Sequence, residues 1–201
     1  DTGAESTVVS RGVAVRYGID PMVTTLSAGV GEVGFRTLQL GKLESLEIGS
    51  LKVRHLPVII KSPPLTELPT REPEAFSPLS LGLSMAVDYD RRVLTMGPGS
   101  TIGEADTELP LWLHRLATVR GVVDDSHTAT FIVDTGGEVI SISAATAQRL
   151  TKIRESRRIQ LKVYGTSGWD RDAYLLPGVD LVFQQIEYRN LPVVVLNLGA
   201  P

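Results

Sequence analysis

The sequence predicts a mainly β protein of two similar lobes. Three observations carry this prediction: an internal repeat, β-branched runs in both copies, and glycine or proline punctuation between those runs. The triplet Asp1, Thr2, Gly3 recurs as Asp134, Thr135, Gly136, 133 residues later. Gly31, Gly34 and Phe35 recur as Gly165, Gly168 and Trp169 at an offset of 134. The stretch from Leu46 to Val58 recurs from Leu181 to Val193 at an offset of 135, with Arg54, Leu56 and Pro57 matching Arg189, Leu191 and Pro192. Three blocks in one order, with offsets that drift by two residues, define two copies of one supersecondary unit.

Each element follows from local chemistry. Thr7 to Val9 and Glu138 to Ser143 follow the two Asp-Thr-Gly turns and are β-branched, so both read as strands. A short helix is expected after each, from Ser10 to Tyr17 before Gly18, and from Ala144 to Lys152. The apolar runs that begin at Leu56 and Leu191 read as buried strands. Lys61 to Pro78 holds five prolines and reads as a loop. In the first copy, Leu79 to Leu83 and a strand from Met85 to Met96 follow. In the second copy, strands from Thr118 to Val123 and from Thr128 to Val133, around Asp124 to Ser126, precede the Asp-Thr-Gly turn. These limits divide the chain into a first repeat, 1–97, a connector, 98–116, and a second repeat, 117–201. Each copy shows a segment that the other lacks. The repeat therefore predicts a longer natural chain, by about 15–20 residues before Asp1 and about 30 after Pro201, and self-association through unpaired sheet edges without them.

Composition excludes several function classes. The chain has 201 residues, 20 basic and 23 acidic, for a net charge of -3. That balance argues against a nucleic-acid binder. No apolar run approaches the length of a membrane span. With no cysteine there is no disulfide, thiolate ligand or cysteine nucleophile. His55, His114 and His127 are scattered without ligand spacing, so no metal or other cofactor is expected. No Gly-x-Ser-x-Gly elbow occurs. Arg91 and Arg92 read as a solvated strand end, and Trp112 as packed between the lobes.

The segment from Phe131 to Gly136 resembles the apolar-apolar-Asp-Thr-Gly signature of aspartic proteases. Asp1 to Ala4 resembles the Asp-Thr-Gly-Ala form of retropepsins. Pro78 to Leu83 is similar to the glycine segment that crosses behind the catalytic turn in that clan, and Val87 to Met96 to the strand that follows it in bacterial retropepsin-like proteins. Tyr164, Gly165 and Thr166 resemble the Tyr-Gly-Thr of pepsin flaps. The resemblance implies the aspartic protease fold, two retropepsin-like lobes related by a pseudo-twofold axis with a cleft between them. It also implies an aspartic endopeptidase acting on peptide or protein substrates, open to pepstatin-like inhibitors, in a periplasmic or secreted bacterial location.

It also implies roles. Asp1 and Asp134 are the catalytic pair, and Thr2, Gly3, Thr135 and Gly136 support them. Gly31 and Gly34 in one half, with Tyr164, Gly165, Thr166 and Gly168 in the other, form flaps over the substrate. Two carboxyl groups about 3 Å apart share one proton, so one acts as base toward water and the other as acid toward the carbonyl oxygen. Gly137 departs from the Ala, Ser or Thr usual after the triplet and loosens that turn. That departure, with the segments missing from each copy, motivates the alternative of an inactive peptide-binding or regulatory pseudoprotease. A homodimeric scaffold without catalysis is the third class.

Overall fold

The computed structural model describes residues 1–28, 30, 35–61, 74–99, 105, 107–150, 158–165 and 168–197. It is mainly β and two-lobed, as the repeat predicts. The first lobe is a four-stranded sheet in the order β1 (Thr7–Ser10), β4 (Leu51–Lys61), β3 (Phe35–Ile48), β2 (Pro21–Ala28). The second is built on the order β10 (Ser141–Ser143), β15 (Ile186–Leu196), β14 (Tyr174–Phe183), β8 (Ala117–Val123), β7 (Trp112–Leu113). Off that path β9 (His127–Ile132) pairs with β8, and β11 (Ile159–Gln160) with β14. Two small hairpins stand apart: β5 (Ser84–Asp88) with β6 (Val93–Gly97), and β12 (Val163–Gly165) with β13 (Gly168–Asp170).

The repeat is visible strand by strand. In each lobe a long antiparallel hairpin, β3–β4 or β14–β15, lays its last strand parallel to the strand after the Asp-Thr-Gly turn. Gly49 and Gln184 occupy the same left-handed turn position, with φ of 58° and 53°. His55 and Asn190 share a second left-handed position, with φ of 56° and 57°. Ser10 and Ser143 each cap a helix, accepting from Val13 N at 3.2 Å and Thr146 N at 3.0 Å. That bond satisfies one of the orphan donors of a helix start. The helices are α1 (Arg11–Arg16) and α2 (Ala144–Ala147). Gly18, at φ 64°, lets the chain leave α1 and return to the core at buried Ile19.

Alternation along the strands supplies both cores. In β4 the buried residues are Leu56, Val58 and Ile60, which meet Val9, Ala14 and Ile19. In the second lobe Leu176, Val179 and Leu181 of β14 meet Val193 and Val195 of β15, with Val123, Ile142, Ala147 and Leu150. Fully burying one such side chain stabilises the fold by roughly 1.5–3 kcal/mol.

Several expectations are corrected. The strand after the second triplet covers Ser141 to Ser143, because pairing with β15 begins only at Val194. The second helix ends at Ala147 among the described residues, and its expected end at Lys152 lies outside them. Met85 to Met96 is a hairpin, not one strand: Asp88 accepts from Arg91 N at 2.8 Å, and Arg92 takes φ 56°. Such an aspartate-initiated turn reverses the chain and places both arginines at an exposed tip. Trp112 is 47% exposed, with the Arg120 guanidinium 5.1 Å over its ring. Residues 62–73 of the proline-rich loop lie outside the described residues.

Candidate active site

The two Asp-Thr-Gly turns come from different lobes and meet. Asp1, Thr2 and Gly3 lead into β1, whereas Asp134, Thr135 and Gly136 follow β9. Thr2 is 4% exposed, and its hydroxyl works in both directions. It donates to Val133 O at 2.6 Å and accepts from Thr135 N at 2.9 Å. Thr135 Oγ1 in turn accepts from Thr2 N at 3.3 Å. These three hydrogen bonds tie Thr2 to the second turn, and the buried hydroxyl is satisfied as donor and acceptor.

This lock fixes where the carboxyl groups lie. Oδ1 of Asp134 accepts from Gly136 N at 2.8 Å, within its own turn, and from Gly3 N at 3.2 Å, across the junction. The packing is reciprocal. A Cβ at Gly3 would stand 2.3 Å from Cγ of Asp134, and one at Gly136 would stand 3.0 Å from Cγ of Asp1. Each carboxyl thus occupies the space that the opposite glycine leaves open, and only glycine permits that approach. Both aspartates are exposed to solvent.

Support for the first turn comes from a segment far along the chain. Ser77, fully buried, donates its hydroxyl to Ala4 O at 2.6 Å and its N–H to Thr7 Oγ1 at 3.1 Å. The Asp1 nitrogen donates to Phe76 O at 3.0 Å, and Val8 exchanges backbone bonds with Ala75. A 3-10 turn, Pro78–Leu81, and Gly82 at φ 62° then carry the chain away. Within the Pro78 to Leu83 segment Leu81 packs on the first-lobe core, and the bonds to Asp1 and Ala4 come from Phe76 and Ser77 just before it.

Glu5 and Arg115 make a second bond between the lobes. Nε and one Nη of Arg115 donate to the two carboxylate oxygens of Glu5 at 3.0 and 2.6 Å. The bond from Arg115 holds the Glu5 carboxyl below the usual carboxylate range, against a smaller opposing effect of burial. A depression of about 210 Å³ opens beside this pair, lined by Glu5, Leu79, Ser80, Leu113, His114 and Arg115.

The residues expected to form flaps divide. Tyr164, Gly165 and Gly168 belong to the β12–β13 hairpin, where the Tyr164 and Trp169 rings meet edge to face at 5.0 Å. Gly31, Gly34 and Thr166 lie outside the described residues. Val30, beside the first glycine block, touches the second hairpin: a Cβ at Gly165 would stand 2.2 Å from Val30 O. Ser77, Glu5, Arg115 and Val30 were not singled out by sequence reasoning. Of these, Glu5 stands one residue beyond the Asp-Thr-Gly-Ala run, which was its only local signal. Among the described residues no group of three or more His, Asp or Glu side chains could hold a metal ion. No described helix is long and apolar enough to cross a membrane.

Two family models match the chain. One, described as "gag-polyprotein putative aspartyl protease", matches residues 1–68, and another, described as "Aspartyl protease", matches residues 118–201. Each match contains one Asp-Thr-Gly turn. No curated protein matches the chain.

Proposed function

Since this chain belongs to the retropepsin-like aspartic protease family, we propose that it is an endopeptidase whose dyad is Asp1 and Asp134. One observation carries the reading: each aspartate carboxyl packs against the glycine of the opposite turn, so the two acids face one another across the lobe junction. Two carboxyl groups in that relation hold one proton between them and one water on their open side. The ionised member takes a proton from the water as its oxygen attacks the peptide carbonyl. The protonated member gives its proton to the carbonyl oxygen, which leaves a neutral gem-diol. Collapse of that intermediate breaks the C–N bond, and the amine leaves with a proton returned through the pair. Thr2 and Thr135 do no chemistry in this scheme. Their hydroxyls hold the turns in register, and the two N–H groups on Oδ1 of Asp134 fix which oxygen faces the substrate.

The substrate class is an extended peptide lying in the cleft, and pepstatin-like inhibitors occupy the same path. The test is hydrolysis of casein and of fluorogenic peptides, with and without pepstatin. Asp134→Asn is expected to lower kcat about 10²–10⁴-fold with the fold retained, since it removes one partner of the acid–base pair. Cleavage that survives in this variant overturns the dyad. Saturable peptide binding without cleavage by the wild-type protein favours the pseudoprotease reading instead.

A further inference from the structure

The buried polar residues among those described are Thr2, Thr7, Ser77 and Asp170. Three of them support the first catalytic turn. Asp170 is the exception, and it carries the only carboxylate of the set. A carboxylate 3% exposed is unfavourable unless its oxygens are satisfied. Here Oδ1 accepts from Asp172 N at 3.1 Å and Oδ2 from Asn197 N at 2.7 Å. Charge-assisted bonds of this kind are about twice as strong as neutral ones.

The placement explains what the bonds hold. Asp170 ends β13 and faces Val163 across the hairpin. Asn197 follows β15, whose last residues pair with the strand after the Asp134 turn. The carboxylate therefore ties the base of the second hairpin to the strand that underlies its own half of the dyad. The two hairpins need this tie unequally. In the first lobe β2 and β3 stay paired without a break from Val23 to Ala28 and on to Phe35, so that hairpin is an extension of the main sheet. The second hairpin is a separate two-stranded sheet. Two such strands alone are marginal in water. At the position aligned with Asp170, 134 residues earlier, the sequence has Arg36. Val30, near the end of the first hairpin, lies against Gly165 and packs on the cluster of Ala173, Val194 and Leu196.

We propose that Asp170 is a positioning residue for peptide binding, which fixes the base of the second hairpin to the end of β15. This rests on the endopeptidase reading for its substrate and on geometry alone for the anchor.

The test uses the full chain carrying Asp170→Asn. In asparagine an NH2 group replaces one of the two oxygens, so one of the two N–H donors faces another donor. Without substrate, amide exchange at Val163, Tyr164 and Trp169 is expected to rise about tenfold or more, as loss of a hydrogen bond to a charged group implies. Trp169 emission should shift to the red. Exchange at Leu38 and Gln39 of the first hairpin, and at Val193 to Val195, should stay as in the wild type. With a fluorogenic peptide, KM should rise roughly tenfold while kcat falls less than about threefold, the signature of lost binding rather than lost chemistry. Unchanged Trp169 emission and hairpin exchange overturn the proposal. So does faster exchange spread through Val193 to Val195, which would make Asp170 a general support of the lobe. A wild-type protein that cleaves no peptide sinks the endopeptidase reading, while exchange and emission still decide the anchor.

Discussion

Adding one methyl group at Gly3 tests the geometry of the acid pair more sharply than removing an acid. The left-handed backbone region is not involved at this position, so the effect is steric. A Cβ at Gly3 would stand 2.3 Å from Cγ and 2.5 and 2.6 Å from the oxygens of Asp134. Ordinary carbon–carbon contact begins at roughly 3.5 Å, so the carboxyl must retreat by about 1.2 Å. At Gly136 the nearest atom is Cγ of Asp1 at 3.0 Å, and the same limit requires about 0.5 Å. A displacement of about 1 Å at a reacting group costs on the order of 10²-fold in rate. Gly3→Ala should therefore lower kcat/KM about 100-fold, and Gly136→Ala less than about tenfold. Because Asp134 is exposed, its side chain can swing into solvent, and the fold should lose only about 1 kcal/mol, the low end of overpacking costs. The assay is kcat/KM for a fluorogenic peptide beside thermal unfolding of the same samples. Equal losses in the two variants, or a larger loss at Gly136, would refute the reasoning.

Three further outcomes follow from the same contacts. Thr2→Val keeps the shape but leaves Val133 O and Thr135 N unpaired, and should lower unfolding free energy by about 1–3 kcal/mol in denaturant titration. Gln184→Gly, at a position where Gln184 holds φ 53° and its counterpart is already Gly49, should raise stability by up to about 1 kcal/mol; an unchanged midpoint refutes the strain. Glu5 is held below the usual carboxylate range by Arg115, so its contribution is present above the unfolded value and lost as pH falls through the lower folded value. Both side chains are largely exposed, so Glu5→Gln should differ from wild type by less than about 1 kcal/mol at pH 7. The two melting curves should converge toward pH 3, and a gap that widens with acid would contradict the sign.

The doubling of the fold was legible because both copies solve the same local problems at aligned positions. Serine caps each short helix, a left-handed residue turns each long hairpin, and Leu-Pro-Val opens each buried run. What stayed hidden depends on partners far along the chain. Ser77 supports Ala4 from 73 residues away, and Arg115 reaches Glu5 across 110. No period or motif records such pairs. Asp170 was overlooked for another reason: an aspartate near a hairpin end normally marks a solvated turn, and only three-dimensional packing buries it. The Met85 to Met96 hairpin shows the opposite failure. Its turn residues, from Asp88 to Arg92, were visible, but apolar residues on both sides made the run look continuous.

Both acid turns lie on one polypeptide, and that changes how the cleft can diverge. In an assembly of two identical chains every substitution appears twice, once on each side of the axis, so a change that helps one wall alters the other with it. Here the two sides carry separate codons. Ala4 stands against Gly137, and Arg36 against Asp170. Each wall can be altered without its image, so a directional preference along a bound peptide is open to selection one residue at a time. Joining the halves also removes dilution as a limit. The meeting of the turns is intramolecular, so the yield of assembled sites does not depend on protein concentration.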